Sequence, residues 1–162
     1  LFASWVGGIL AAFIIGVFDN VLQSTIALAA FIPVIIGMGG NIGTQSSTMI
    51  VRGLATGRVS IENSVKILFK EIRVGLLLGI LYGLLLGLFA IFQFIDASPM
   101  IGIVVGLSIC ISMIIAATIG SLVPLILNRF EIDPAIATGP FVTTAIDIIG
   151  VAFYFIVAGA FL

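Results

Sequence analysis

No charged residue falls between Val74 and Ile95, and none between Ala97 and Asn128. Leu1 to Phe18 is also uncharged, and Leu22 to Ala55 and Pro134 to Leu162 carry one charge each, Arg52 and Asp147. A membrane-crossing helix needs about 20 consecutive apolar residues, and these runs supply several. An ordinary soluble domain is roughly 45–50% apolar and about 25% charged. This chain of 162 residues is 62% apolar and 8% charged. A water-soluble core of that size has no room for so much apolar surface, so the solvent is lipid. The expected fold class is an all-α membrane protein.

Breakers divide the runs into five predicted transmembrane helices, at about 1–18, 22–56, 61–94, 99–129 and 134–161, forming one transmembrane domain over 1–162. Asp19-Asn20 stop the first. The second is long enough to tilt or to kink at Pro33, and it ends at Gly57, a residue type favoured in left-handed caps. Ser60 is placed to cap the third. Asp96 and Asp133, each followed closely by proline, are placed to open the fourth and fifth. The sequence starts inside an apolar run at Leu1, which reads as an excised domain rather than a signal peptide.

Ile61, Val65, Leu68, Phe69 and Ile72 recur at helical spacing, interleaved with Glu62, Lys66, Lys70, Glu71 and Arg73. That pattern suits a helix lying at the headgroup level before it turns into the bilayer, with its charges on a solvated face. Five spans also sort the charges. Arg52, Arg58, Lys66, Lys70, Arg73 and Arg129 all fall on one side, and Asp19 and Asp96 on the other. The positive-inside rule makes the basic side cytoplasmic, with the N-terminus inside and the C-terminus outside.

Gly75, Gly79, Gly83 and Gly87 form a four-residue repeat on the third span, and Gly102, Gly106, Ala116, Ala117 and Gly120 give the fourth a matching set of small residues. Small residues at this spacing let backbones approach closely in lipid, so these are predicted packing stripes. Several chemistries are excluded. Net charge is −1, which offers nothing to nucleic acid, Cys110 is a lone cysteine, and there is no histidine. No nucleophile–base set exists, and the chain does not read as an enzyme.

Asp147 stands apart from the other acidic residues. It lies midway along the fifth span, where insertion scales charge it about 2.5–3.5 kcal/mol. Counting by threes and fours sets Pro140, Thr143, Thr144, Asp147 and Gly150 on one face. Every basic residue is committed to the cytoplasmic edge, so a salt bridge is not expected. A protonated acid bonded to a hydroxyl, a proton relay and a cation ligand remain.

The stretch "GMGGNIGTQSST" (Gly37 to Thr48) in the second span is the natural partner. Gly37, Gly40, Asn41, Thr44 and Thr48 share a face, with Gln45 beside it. Helix packing and interhelical hydrogen bonding both account for such residues. Pro33 and Pro140 also deprive the carbonyls of Ala29 and Ile136 of their usual donors. Carboxylate, amide, hydroxyl and carbonyl oxygens together suit a hard cation such as Mg²⁺, which keeps several of its waters. A two-fold dimer, the commonest symmetry, would set two copies of Asp147 across one axis.

"PVIIGMGGNIGTQSSTMIVRGLATG" (Pro33 to Gly57) and "DPAIATGPFVTTAIDIIG" (Asp133 to Gly150) together resemble the transmembrane domain of the MgtE family of magnesium channels, shared with related eukaryotic solute carriers. The resemblance covers essentially the whole chain. It implies a homodimer with five transmembrane helices per subunit and a pore on the dimer axis. Asp147 matches the family's pore aspartate, which holds hydrated Mg²⁺. Gly40, Asn41 and Thr44 match the pore-lining part of the second helix, and Gly139 and Thr143 the backbone oxygens offered by the fifth. Some members have asparagine at the positions of Thr44 and Gly139. The resemblance further implies a bacterial inner-membrane address and cytosolic regulatory domains in the full-length protein, ahead of this segment. The expected function is passive Mg²⁺ conduction into the cell. The rivals are a proton- or sodium-coupled divalent cation transporter that loads Asp147 alternately, and an assembly subunit whose polar residues only join helices.

Overall fold

The structure, a computed structural model, describes residues 2–24, 26–60, 63–95, 98–137 and 139–162. Six α-helices follow one another, labelled α1 (Phe2–Val17), α2 (Asp19–Ser24), α3 (Ile32–Ala55), α4 (Ser64–Gln93), α5 (Met100–Arg129) and α6 (Pro140–Phe161). Short 3₁₀ segments at Ile26–Phe31 and Pro134–Ala137 precede α3 and α6. No strand occurs among the described residues. Four stretches are long and apolar enough to cross a bilayer: Ile26–Ala55, Ser64–Gln93, Met100–Arg129 and Pro140–Phe161. The helix Phe2–Val17 is apolar but shorter.

The predicted second span changes helix type, a 3₁₀ turn over Ile26–Phe31 running into α3. A proline near the start of a helix forfeits only a donor that would be unsatisfied anyway, so Pro33 sits within the first turn of α3 and the chain ahead of it tightens into the 3₁₀ turn. Tyr154 of α6 secures the turn. Its hydroxyl is buried and donates to the Leu28 carbonyl at 2.8 Å. Leu28, Phe31 and Ile35 then join Ile101, Val105, Ile109 and Tyr154 in the main apolar core.

Helix starts differ from expectation at two places. α4 begins at Ser64, after Asn63 rather than Ser60, and the Asn63 side chain accepts the Ser60 N–H at 2.9 Å. Asp133 accepts the Ala135 N–H at 2.9 Å and so opens the 3₁₀ turn, whereas α6 starts at Pro140. Pro99 precedes α5, while Asp96, like Ile61 and Glu62, lies outside the described residues. Gly57, after the end of α3, has φ +70°, the left-handed conformation that favours glycine.

The stretch from Ser64 to Arg73 is not a separate surface helix. It forms the first turns of α4, which runs on without a break to Gln93. Its charges are not all solvated either. Glu71 is only 5% exposed, and its Oε2 accepts the Ser46 hydroxyl of α3 at 2.9 Å. Periodicity alone misplaced Glu71 because it cannot see the hydroxyl waiting on the next helix.

α4 and α5 pack antiparallel, backbone against backbone. A Cβ built on Gly75, Gly79, Gly83 or Gly87 would lie 2.9, 2.9, 2.5 or 2.7 Å from the carbonyl oxygens of Met113, Cys110, Gly106 and Gly102. Apolar surface gives helices no reason to associate inside lipid, so close approach and dispersion must hold this pair. α5 is the hub and also contacts α3 and α6; α1 lies against α6.

Candidate functional site

Asp147 projects from the middle of α6 into the region where α1, α3 and α6 meet. A cavity of about 230 Å³ is lined there by Ser4, Gly7, Gly8 and Ala11 of α1, Ile36 of α3, and Thr143, Thr144 and Asp147 of α6. Gly7 is what allows α1 so close: a Cβ there would overlap Cγ2 of Thr144. On the α3 side, a Cβ at Gly40 would stand 3.2 Å from Asp147 Oδ1. Helical spacing on α6 and a missing side chain on α3 thus place the carboxylate.

Oδ1 of Asp147 is buried and makes no hydrogen bond among the described residues. No lysine or arginine lines the cavity. A buried carboxylate oxygen without a partner is costly when charged, although the Asp147 side chain as a whole is half-buried and borders the cavity. The described residues contain no group of three or more Asp, Glu or Cys able to hold a metal ion. A single carboxylate is a poor cage for a bare cation but a usable one for an ion that keeps its waters.

The glycine-rich stretch of α3 divides its residues between two faces. Gly39 and Gly43 turn inward, where added Cβ atoms would meet Ser112 Oγ at 2.9 Å and overlap the Ile146 side chain. Gly120 of α5 packs on Gly43 in turn, with a Cβ only 2.9 Å from its Cα. Asn41, Thr44, Gln45 and Thr48 are exposed on the opposite face of the helix. A row of amides and hydroxyls on the outside of a spanning helix is not a surface that acyl chains solvate.

Comparison with known proteins decides what this arrangement belongs to. Residues 32–157 match the MgtE family model, described as a divalent cation transporter. The chain is 35% identical over 155 residues to the magnesium transporter MgtE of Bacillus subtilis, and 37% identical over 151 residues to that of Thermus thermophilus. It is 32% identical over 155 residues to that of Enterococcus faecalis. The chain belongs to the MgtE family. The alignments cover 96%, 93% and 96% of this chain but 34%, 33% and 34% of the relatives, so it spans about a third of their length. It is a multi-pass membrane protein, and its relatives are named as transporters, not enzymes.

Within this MgtE domain the structure gathers Asp147, Thr143 and Gly40 into one neighbourhood. Asn41 and Thr44 are not in the Asp147 cavity; they occupy the adjoining exposed face of α3. Gly139 stands two helical turns from Asp147, at the start of α6, with no atom within 4 Å of a would-be Cβ. Its carbonyl already accepts the N–H groups of Val142 and Thr143 at 3.1 and 3.3 Å and the Thr143 hydroxyl at 3.4 Å. Gly150 faces away from the cavity, towards Ser112 of α5.

Some residues at the site left little trace in the sequence. Ser4, Gly7 and Gly8 lie on the first helix, whose polarity gave no hint of a role. Ser108 and Ser112 are buried without hydrogen-bond partners among the described residues, whereas Thr118 and Ser121 of the same helix bond back to Ile114 and Ala117 at 2.7 Å. Only their register against Gly39 and Gly150, which a single strand of sequence does not show, sets Ser112 apart.

Proposed function

We propose that this chain is the transmembrane pore domain of a Mg²⁺ channel, acting as a homodimer whose α3 and α6 helices line a path on the two-fold axis. The observation that carries this is the unpartnered Asp147 oxygen, buried beside Gly40 in a cavity that no basic residue lines. The exposed polar face of α3 supports the dimer, because pairing about a two-fold axis would cover it and hydrate it at once. The two copies of Asp147 would then repel each other without a cation and match a divalent charge with one. Asn41, Thr44 and Thr143 would accept hydrogen bonds from the ion's inner waters, selecting a hydrated ion by width. Gly139 would contribute through its carbonyl at the entrance of α6.

In this proposal α1 belongs to a fifth crossing. Five crossings put Arg52, Arg58, Lys70 and Arg129 on the cytoplasmic side, with the N-terminus inside and the C-terminus out. The cell membrane of a bacterium is the address, and regulatory domains in the remaining two thirds of the full-length protein would gate the pore. A divalent ion entering a negative interior gains about 4.6 kcal/mol per 100 mV, twice the ~2.3 of one charge. Passive flow therefore suffices. The names of the B. subtilis and T. thermophilus relatives, magnesium transporters, support the choice of ion.

The test is Mg²⁺ entry into proteoliposomes under an imposed potassium-diffusion potential. Parental protein should pass Mg²⁺ at a rate that follows voltage, and Asp147→Asn should lose most of that flux while eluting as the same oligomer. Undiminished flux through Asp147→Asn would remove the site. A flux that depends on a proton or sodium gradient would replace the channel by a coupled carrier.

A further inference from the structure

We propose that the basic end of α3 and α4 forms a second, separate site, a pocket for the phosphate of an anionic phospholipid headgroup. A cavity of about 460 Å³ opens there, between the last turns of α3, the connection after it and the first turns of α4. That volume lies within the roughly 300–1,000 Å³ usual for small-molecule sites. Arg52, Arg58 and Lys70 stand around it, all exposed, over an apolar floor that includes Ile50 and Val59.

The charges do not cancel. Glu71 is the one carboxylate among the described residues lining the cavity, and it is buried and hydrogen-bonded by Ser46. Among the described residues that line the cavity, three cations stand against one carboxylate. A helix C-terminus ordinarily presents carbonyls that repel an anion, but those of Arg52 and Gly53, which line this cavity, are occupied. The Arg52 carbonyl accepts the Thr56 N–H at 3.1 Å and its hydroxyl at 2.9 Å, and the Gly53 carbonyl accepts the N–H groups of Arg58 and Val59 at 2.9 and 3.0 Å. Two guanidinium groups and an ammonium are thus left to face a ligand.

The same arithmetic excludes a metal ion, which three cations would repel. Guanidinium groups match phosphate oxygens in pairs. Basic pockets between transmembrane helices at the membrane surface take anionic headgroups, and the apolar floor here continues into the spanning parts of α3 and α4, where a lipid's glycerol and acyl chains belong. A free phosphate would use the same donors without needing that floor.

Native mass spectrometry of the purified protein with phosphatidylglycerol or phosphatidylcholine of matched chains separates these cases. Phosphatidylglycerol should be retained about tenfold or more tightly, the scale expected of two basic residues near a headgroup. Arg58→Gln with Lys70→Gln should erase the preference, while Arg129→Gln, outside the cavity, should leave it. These side chains are exposed, so the variants keep the fold. Equal retention of both lipids, or a preference that survives the double substitution, overturns the site. Retention of inorganic phosphate without any preference for phosphatidylglycerol overturns the lipid assignment.

Discussion

Substituting alanine for Gly83 tests how α4 and α5 are held together. The added Cβ would lie 2.5 Å from the Gly106 carbonyl oxygen, where ordinary contact begins at 3.4 Å. The shortfall of about 0.9 Å (3.4 minus 2.5) falls on backbone, which no rotamer change relieves. The helices must separate, and the neighbouring contacts of Gly79 and Gly87 open with them. Overpacking of this kind costs about 1–3 kcal/mol, offset by roughly 1 kcal/mol from the better helix propensity of alanine. Gly16→Ala is the control, since nothing lies within 4 Å of its Cβ position, so only the propensity gain remains. At about 2–4 °C per kcal/mol for a chain of this size, Gly83→Ala should unfold several degrees below Gly16→Ala. The measurement is thermal unfolding of each purified variant in one detergent. If Gly83→Ala is as stable as Gly16→Ala or more so, the backbone contact does not hold the pair.

Gly40→Ala should leave thermal stability near the parent but reduce Mg²⁺ flux severalfold, because its Cβ would displace Asp147 Oδ1 from 3.2 Å; Gly16→Ala, with open space around it and outside the cavity lining, should conduct normally. Tyr154→Phe should lose about 0.5–1.5 kcal/mol with the bond to Leu28, and hydrogen exchange at Phe31 and Ile32 should accelerate. Ser46→Ala should cost about 1–3 kcal/mol by leaving Glu71 buried without its donor, read as a lower unfolding temperature; an unchanged midpoint would mean that water takes the hydroxyl's place.

Much of this architecture could be read from the residues. The uncharged runs around Val74–Ile95 and Ala97–Asn128 forced helices in lipid, since neither run offers water a foothold. Asp147 was visible for the same reason, a lone charge where charge is expensive. What stayed hidden depended on which helix faces which. Glu71 looked like its solvated neighbours until Ser46 was seen beside it. Gly39, Gly40 and Gly43 looked like one feature, yet they split between packing and the carboxylate, Gly39 and Gly43 against α5 and α6 and Gly40 beside Asp147. The 3₁₀ turn ahead of Pro33 needed the hydroxyl of Tyr154, more than a hundred positions away.

The way α1 is held ties the carboxylate's surroundings to the membrane itself. One wall of the Asp147 cavity is α1, which lies chiefly against α6, with Gly7 on Thr144. A helix held mainly on one side can slide or tilt along its neighbour as the bilayer thins or thickens, at a cost of fractions of a kcal/mol per Å. Acyl-chain length thus becomes a physical setting of the site: the same sequence presents a differently shaped chamber in a thin bilayer and in a thick one, with no residue exchanged.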